Sequence, residues 1–206
     1  DVTNKLYLNS GSGAFFNAGT AGTPIGNETD NTRSVVLGDV NGDGHLDLVA
    51  GNNGQTNKLY LNDGTSVNGG FTAGTGTAIG IETDYTRSVV LGDVNGDGHL
   101  DLVAGNDGGT NKLYLNSGSG AFFNAGTAGT AIGSETDGTL SVVLGDVDGD
   151  GDLDLVPGNW DVTNKLYLND GSGGFTAGTG TAIGSDTDLT YSVVLGDVDG
   201  DGDLDL

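Results

Sequence analysis

The sequence predicts an all-β fold, a β-propeller of four-stranded blades, and three observations carry that prediction. The hexapeptide NKLYLN begins at Asn4, Asn57, Asn111 and Asn164, at intervals of 53, 54 and 53 residues. Each interval holds four short β-prone runs separated by Gly/Asn/Asp turns, which is the arithmetic of a propeller blade. Helix formers are scarce: 206 residues include no Met and only 6 Lys and Arg, while Val, Leu, Thr and Gly dominate. No sustained 3.6-residue pattern is present, so coiled coil and α-solenoid are excluded.

Within one repeat the elements follow in order. Ser34–Val40 (SVVLGDV) is a continuous apolar run, expected as a strand buried on both faces. An acidic loop follows, then Leu46–Ala50 (LDLVA) as the second strand. A Gly/Asn turn leads to Lys58–Leu61 (KLYL), and an Asn/Asp/Gly turn to Gly70–Ala73 (GFTA), expected as the fourth strand. The chain opens on a third and fourth strand, Lys5–Leu8 and Ala14–Asn17, and closes on a first and second, Ser192–Val198 and Leu204–Leu206. The prediction is therefore a single repeat domain, residues 1–206, of four blade equivalents: about 34–86, 87–139, 140–190, and a blade split between 191–206 and 1–33. In a closed ring the two terminal halves would pair in one sheet and remove two exposed edges. Left open, the Leu206 edge can pair with another copy. A longer period is also present: Thr3–Thr23 reappears unchanged at Thr110–Thr130, as duplication of a two-repeat unit would leave it. The start at Asp1, without Met, points to a missing upstream part.

Charge narrows the function classes. With 29 acids against 6 bases the net charge is −23, which repels nucleic-acid phosphates and anionic lipid surfaces. No apolar run approaches the ~18 residues of a membrane span, so membrane insertion is not expected. The absence of cysteine excludes disulfides and Cys-ligated zinc, and fits a secreted protein stabilised by metal instead.

Sixteen of the 29 acids lie in four copies of one loop. Numbered from Asp39, positions 1, 3, 5, 7 and 9 are Asp39, Asn41, Asp43, His45 and Asp47. The second copy reads Asp93, Asn95, Asp97, His99, Asp101; the third Asp146, Asp148, Asp150, Asp152, Asp154; the fourth Asp197, Asp199, Asp201, Asp203, Asp205. Calcium takes six to eight oxygens, and such loops supply side chains at 1, 3, 5 and 9 and a backbone carbonyl at 7. Glycine at position 6 (Gly44) permits the sharp turn. The pattern predicts about four Ca²⁺, one per repeat, in a structural role. Position 12 is Ala50 rather than a bidentate Glu, and both flanks read as strand, so an EF-hand sensor is excluded. Position 7 is His twice and Asp twice, so only its carbonyl is expected to ligate, leaving the two histidines facing solvent. The alternative is a set of solvated Asp/Gly turns without metal, which four copies in register disfavour.

LGDVNGDGHLDLVAGN, residues 37–52, followed by NKLYLNDG, resembles the FG-GAP/VCBS-type repeat, the blade of integrin α-subunit propellers and of many bacterial surface proteins. The resemblance covers essentially the whole chain. It departs at the motifs that name the family: VLG (Val36–Gly38) stands for Phe-Gly, and AGN (Ala50–Asn52) for Gly-Ala-Pro. The resemblance implies a calcium-binding propeller and does not extend to integrin-like partners. Since family propellers often have seven blades, four imply a fragment, a minimal ring, or half of an eight-bladed assembly.

Two functional readings follow. One is a secreted or cell-surface, non-catalytic binding or adhesion module for a glycan or protein, with Trp160, the single tryptophan, as the candidate ligand-stacking residue. The other is a structural subunit whose open half-blades join copies into a larger ring or filament. Glu82 and Asp84 have the look of paired glycosidase carboxylates, but they recur in every repeat whereas an active site occurs once. No enzyme is expected.

Overall fold

The computed structural model describes residues 3–9, 21–65, 67–71, 74, 76–118, 123, 126–175 and 178–206. Among the described residues, fourteen strands make antiparallel sheets with almost no helix. β3 (Thr32–Gly38), β4 (Asp47–Asn52), β5 (Asn57–Tyr60) and β6 (Thr77–Ile79) form a four-stranded meander in sequence order. β7 (Thr86–Gly92), β8 (Asp101–Asn106), β9 (Asn111–Tyr114) and β10 (Thr130–Ile132) repeat it. The third copy is β11 (Gly138–Gly145) with β12 (Asp154–Trp160), joined through a Leu155–Tyr167 bridge to the pair β13 (Lys165–Leu166) and β14 (Thr181–Ala182). At the N-terminal end β1 (Asn4–Leu6) pairs only with β2 (Thr23–Ile25); at the other end a single Gly196–Asp205 bridge closes the last hairpin. Among the described residues no strand pairing joins the two terminal segments.

Two strand expectations are corrected. The fourth strand is not GFTA but the Thr-Ala-Ile run after it. Gly69 and Gly70 take φ of +69° and +87°, which an extended strand cannot continue through, so Phe71 makes only an isolated bridge to Asn62 and its ring enters the core. Ile79 is the buried residue of the true strand, paired with Asn57. The corresponding segment 14–17 lies outside the described residues, as do Thr72 and Ala73. Nor is the first strand buried on both faces: Val35 and Leu37 of β3 are 53% and 54% exposed. The strand buried throughout is the second, β4 and β8, with β12 buried as far as Asn159; it has a first strand on one side and a third on the other.

The core lies between repeats rather than within them. One cluster packs Val49, Leu59 and Ile79 of one meander against Val89, Leu102 and Tyr114 of the next, and a second does the same one repeat later. No single repeat buries its apolar face alone, as in other stacked-repeat proteins. The junction has a fixed chemistry. A glycine ending the first strand receives two leucines of the following repeat: Gly38 takes Leu91 and Leu100, Gly92 takes Leu144 and Leu153, Gly145 takes Leu195 and Leu204. A Cβ on Gly92 would fall 2.8 Å from both leucine Cδ1 atoms. Gly92→Ala is therefore expected to cost about 1–3 kcal/mol by overpacking in a denaturant titration. Gly196→Ala, where a Cβ meets nothing within 4 Å, should leave stability unchanged.

Polar side chains add a second set of ties. Glu28 accepts from Tyr60 Oη at 3.1 Å and from the Gly76 N–H; Glu82 accepts from Tyr114 Oη at 3.2 Å and the Gly129 N–H at 2.6 Å. Glu135 takes the Gly180 N–H at 2.6 Å and the Lys165 ammonium at 3.5 Å. Burial, followed by the Glu82 charge, pushes the Tyr114 phenol far above its ordinary value, so it stays a donor. The carboxylates that superficially suggest a glycosidase are clamps from each repeat to its successor.

Candidate metal centres

Each acidic loop is a hairpin turn between a first and a second strand, and its own carboxylates organise it. In the first copy Asp39 accepts the N–H groups of Gly42 at 2.8 Å, Asp43 at 3.1 Å and Gly44 at 2.8 Å. Asn41 accepts from Asp43, and Asp43 accepts from the His45 N–H at 2.9 Å. Gly42 and Gly44 sit at φ +75° and +87° with nothing within 4 Å of an added Cβ, so conformation and not space demands glycine. Position 4 of the loop is thus as dependent on glycine as position 6.

The ninth-position carboxylate has a different environment. Asp47 is fully buried; one oxygen takes the Val40 N–H at 3.0 Å and the other the Asn62 N–H at 2.8 Å. Asp101 repeats this with Val94 at 3.1 Å and Asn116 at 2.8 Å, and Asp154 with Val147 and Asn169 at 3.0 and 2.9 Å. One carboxylate therefore holds the start of the loop and the end of the third strand together. Burial raises the Asp47 and Asp101 carboxyls above the ordinary range; their N–H bonds oppose this and the neighbouring loop aspartates add to it. A cation among these oxygens would relieve that repulsion.

The structure brings some predicted ligands together and not others. In the third loop, oxygens of Asp146, Asp148 and Asp154 all lie within 4.8 Å of one another; in the fourth, those of Asp197, Asp199 and Asp205 do the same. These are positions 1, 3 and 9, on a shared side of the turn, and an all-oxygen set of this kind suits a hard cation. Asp150 and Asp201, at position 5, instead accept from the N–H of Asp152 and Asp203. In the first two loops position 3 is Asn, and the amides of Asn41 and Asn95 donate to Asp43 and Asp97 at 2.8 and 3.1 Å. That donation leads the causes that lower the Asp43 carboxyl. Where Asp148 replaces the amide no such donor exists, and its carboxyl is raised, by desolvation first and then by the charges of Asp150, Asp154 and Asp146.

The imidazoles of His45 and His99 lie against Gly64 and Gly118 of the turn after the third strand, so they are exposed yet not free-standing. The residue that sequence reasoning missed is the last Asn of NKLYLN. Asn116 gives its N–H to Asp101, and its amide to the carbonyls of Leu100 at 3.2 Å and of Val40 in the preceding repeat at 2.8 Å. Asn169 does the same with Asp154, Leu153 and Val94. Its invariance in every NKLYLN copy was the available signal.

At the opposite end of the sheets, the Asn and Thr of the GN…TN turns are consumed by the fold. Asn57 donates to Thr86, which donates to Asn106; Asn111 donates to Thr139, which donates to Asn159. Trp160 is not part of this chain: it is 48% exposed and meets Tyr191 edge-on, with centroids 6.0 Å apart.

Antiparallel meanders in succession, each with an acidic hairpin loop tied to its third strand, define an all-β repeat protein with one acidic loop per repeat. The chain belongs to the FG-GAP-like repeat family, whose model matches residues 1–50, 39–104, 93–156 and 158–206. Cartilage acidic protein 1 of Homo sapiens is 33% identical over 82 residues, 40% of this chain, and that of Mus musculus 32% over the same length. The matched stretch spans 12% of the length of these relatives. A solved structure, the V. cholerae biofilm matrix protein Bap1, aligns with a TM-score of 0.48 and 17% identity, covering 88% of this chain and 28% of that one. Among the described residues, no helix is long and apolar enough to cross a membrane.

Proposed function

We propose that the chain is a calcium-held, propeller-type repeat module that works outside the cell as a non-catalytic binding element. About four Ca²⁺, one per acidic loop, hold each first-to-second-strand hairpin against the third strand. The observation that carries this is the grouping of positions 1, 3 and 9, where Asp154 also ties the loop to Asn169. In the third loop Asp146, Asp148 and Asp154 would hold the ion, and in the fourth Asp197, Asp199 and Asp205. In the first two, Asp39, Asn41 and Asp47, and Asp93, Asn95 and Asp101, hold the same positions. The position-5 carboxylates (Asp43, Asp97, Asp150, Asp201) and the position-7 carbonyls complete each shell. The cation supplies the countercharge that these packed carboxylates lack.

An extracellular setting suits this chemistry. Calcium sites of extracellular modules have Kd of about 10⁻⁴–10⁻³ M, and a chain without cysteine gains from metal the rigidity that secreted domains often take from disulfides. The relatives' name, cartilage acidic protein, agrees with it. Calorimetric titration tests the reading: calcium binding should saturate in that range and magnesium should bind more weakly, because magnesium is reluctant to shed its waters. Equal, non-saturating heats for both ions would contradict it.

A second reading, assembly of copies, is favoured by the repeated glycine–leucine junction. Leu37 and Leu46 are the counterparts of Leu91 and Leu100, yet they are 54% and 55% exposed, and Gly196, the counterpart of Gly38, has open space before it. Gly184, whose counterparts Gly26, Gly80 and Gly133 each meet a tyrosine of the next repeat, is open as well. One end thus carries the knobs and the other the matching sockets, a head-to-tail contact able to close a ring or extend a fibre. Light scattering in calcium is expected to show a species of at least two chains that Leu37→Asp returns to a monomer. A monomer at every concentration would remove this reading.

A further inference from the structure

Among the places where the repeats differ, one group of positions meets in a groove. Three register positions differ from copy to copy: Asn53, Asp107 and Trp160 after the second strand; Arg33, Arg87, Leu140 and Tyr191 in the first strand; Asn31, Tyr85, Gly138 and Leu189 two residues earlier. Their neighbours do not differ: Thr32, Thr86, Thr139 and Thr190 on one side, and Asn52, Asn106 and Asn159 on the other. The invariant neighbours are the buried Asn–Thr ties described above. The backbone is held constant while the side chains it presents are varied, as a binding surface requires.

The varied side chains meet in space. Asn53, Tyr85, Arg87 and Asp107 line a depression of about 520 Å³. Arg33, Leu140, Trp160 and Tyr191 line another of about 300 Å³ that shares Arg87 and Asp107 with the first. The groove therefore crosses successive repeats, at the end of the sheets opposite the acidic loops. It also holds two of the chain's 6 basic residues, Arg33 and Arg87.

Its chemistry is specific. Trp160 and Tyr191 form an exposed edge-on pair, 48% and 66% accessible, offering an aromatic platform. Beside it Arg87 Nε and Nη2 both donate to Asp107 Oδ2, at 3.0 and 2.6 Å. Among the described residues this leaves Asp107 Oδ1 without a donor, so the ion pair presents a planar edge that both donates and accepts. Asn53 Oδ1, also in the groove, is shielded from solvent and has no hydrogen-bond partner among the described residues. Leu140 is the one aliphatic side chain in the lining, and the rest is aromatic or polar. An aromatic face flanked by donors and acceptors matches a pyranose ring, which has an apolar C–H face and adjacent hydroxyls at its rim. The net charge of −23 disfavours a polyanion. The geometry points to a binding site for neutral pyranose oligosaccharides in the groove of Trp160, Tyr191, Arg87 and Asp107.

This inference takes the binding-module reading above and names the site and its ligand class. Trp160 is the only tryptophan, so its emission reports on the groove alone. Calcium-loaded protein is titrated with cellohexaose, chitohexaose, maltohexaose and, as the charged comparison, hexagalacturonate. A saturable change in Trp160 emission with at least one neutral hexamer is expected. Tyr191→Ala, and Asp107→Asn as an independent variant, should each weaken it by about tenfold, the order of one lost aromatic or polar contact. Ile81→Ala, an exposed side chain outside the groove lining, should leave it unchanged. Silence with all three neutral hexamers, a response to hexagalacturonate alone, or an undiminished response in both groove variants overturns the assignment. Melting with and without calcium, measured on the same samples, separates the two claims. Calcium-dependent melting with a silent Trp160 removes only the glycan site; a responding Trp160 without calcium dependence removes only the calcium reading.

Discussion

Chelation with EDTA is expected to lower the melting temperature of this protein by more than about 10 °C. At free calcium one hundred times Kd, each site that binds only the folded chain contributes about 2.7 kcal/mol. For a chain of this size 1 kcal/mol shifts the midpoint by about 2–4 °C, so two occupied loops already account for the figure. The physical source is local. Asp146, Asp148 and Asp154 place their oxygens within 4.8 Å of one another, and burial raises Asp47 and Asp101 in the same direction as their aspartate neighbours. A cation converts mutual repulsion into ligation, and the hairpin it closes also carries the glycine and the leucine that dock adjacent repeats. Magnesium at the same concentration should restore much less of the loss. Scanning calorimetry in calcium, in EDTA and in EDTA followed by excess calcium checks the size of the effect and its reversibility.

Asp101→Ala is expected to be the most damaging single change in the loops, at about 3–5 kcal/mol, the range for stripping the partner from buried polar and charged groups. Asp101 is fully buried and accepts the N–H groups of Val94 and Asn116. Its loss leaves both donors unsatisfied in the middle repeat, where Asn116 also reaches back to Val40 of the repeat before. Asp97→Ala, at an exposed position-5 residue, removes a proposed ligand but no buried partner. Urea titrations in EDTA distinguish the two roles. Asp101→Ala should remain strongly destabilising without calcium, while Asp97→Ala should approach the unaltered chain. Equal behaviour of the two variants in EDTA would show that the ninth position has no structural role beyond the metal.

The acidic loops were legible in the sequence as hairpin turns because their chemistry is local: alternate carboxylates and glycines within nine residues determine the turn. The second and third strands were legible for a similar reason, each lying beside an unmistakable turn. The fourth was not. GFTA has the composition of a strand, and only the left-handed glycines before Phe71 show that the chain turns there and pairs later, at Thr77–Ile79. The exposure of Val35 and Leu37 was hidden because SVVLG is read as buried by composition, whereas burial depends on the repeat that packs against it. The Gly92–Leu144–Leu153 junction and the Glu82–Tyr114 clamp join residues about 30 to 60 positions apart, and no local pattern announces such pairs. Trp160 was singled out as the lone tryptophan, but Tyr191, Arg87 and Asp107 came into view only when successive repeats were placed side by side.

The claim on which the rest depends is that each repeat holds one calcium ion. Equilibrium dialysis of the folded chain against increasing calcium, with the bound metal counted per chain, tests it most directly. The expected result is saturation near four ions per chain, with binding lost when magnesium alone is supplied. A count near zero at millimolar calcium, from protein that remains folded, would contradict the account.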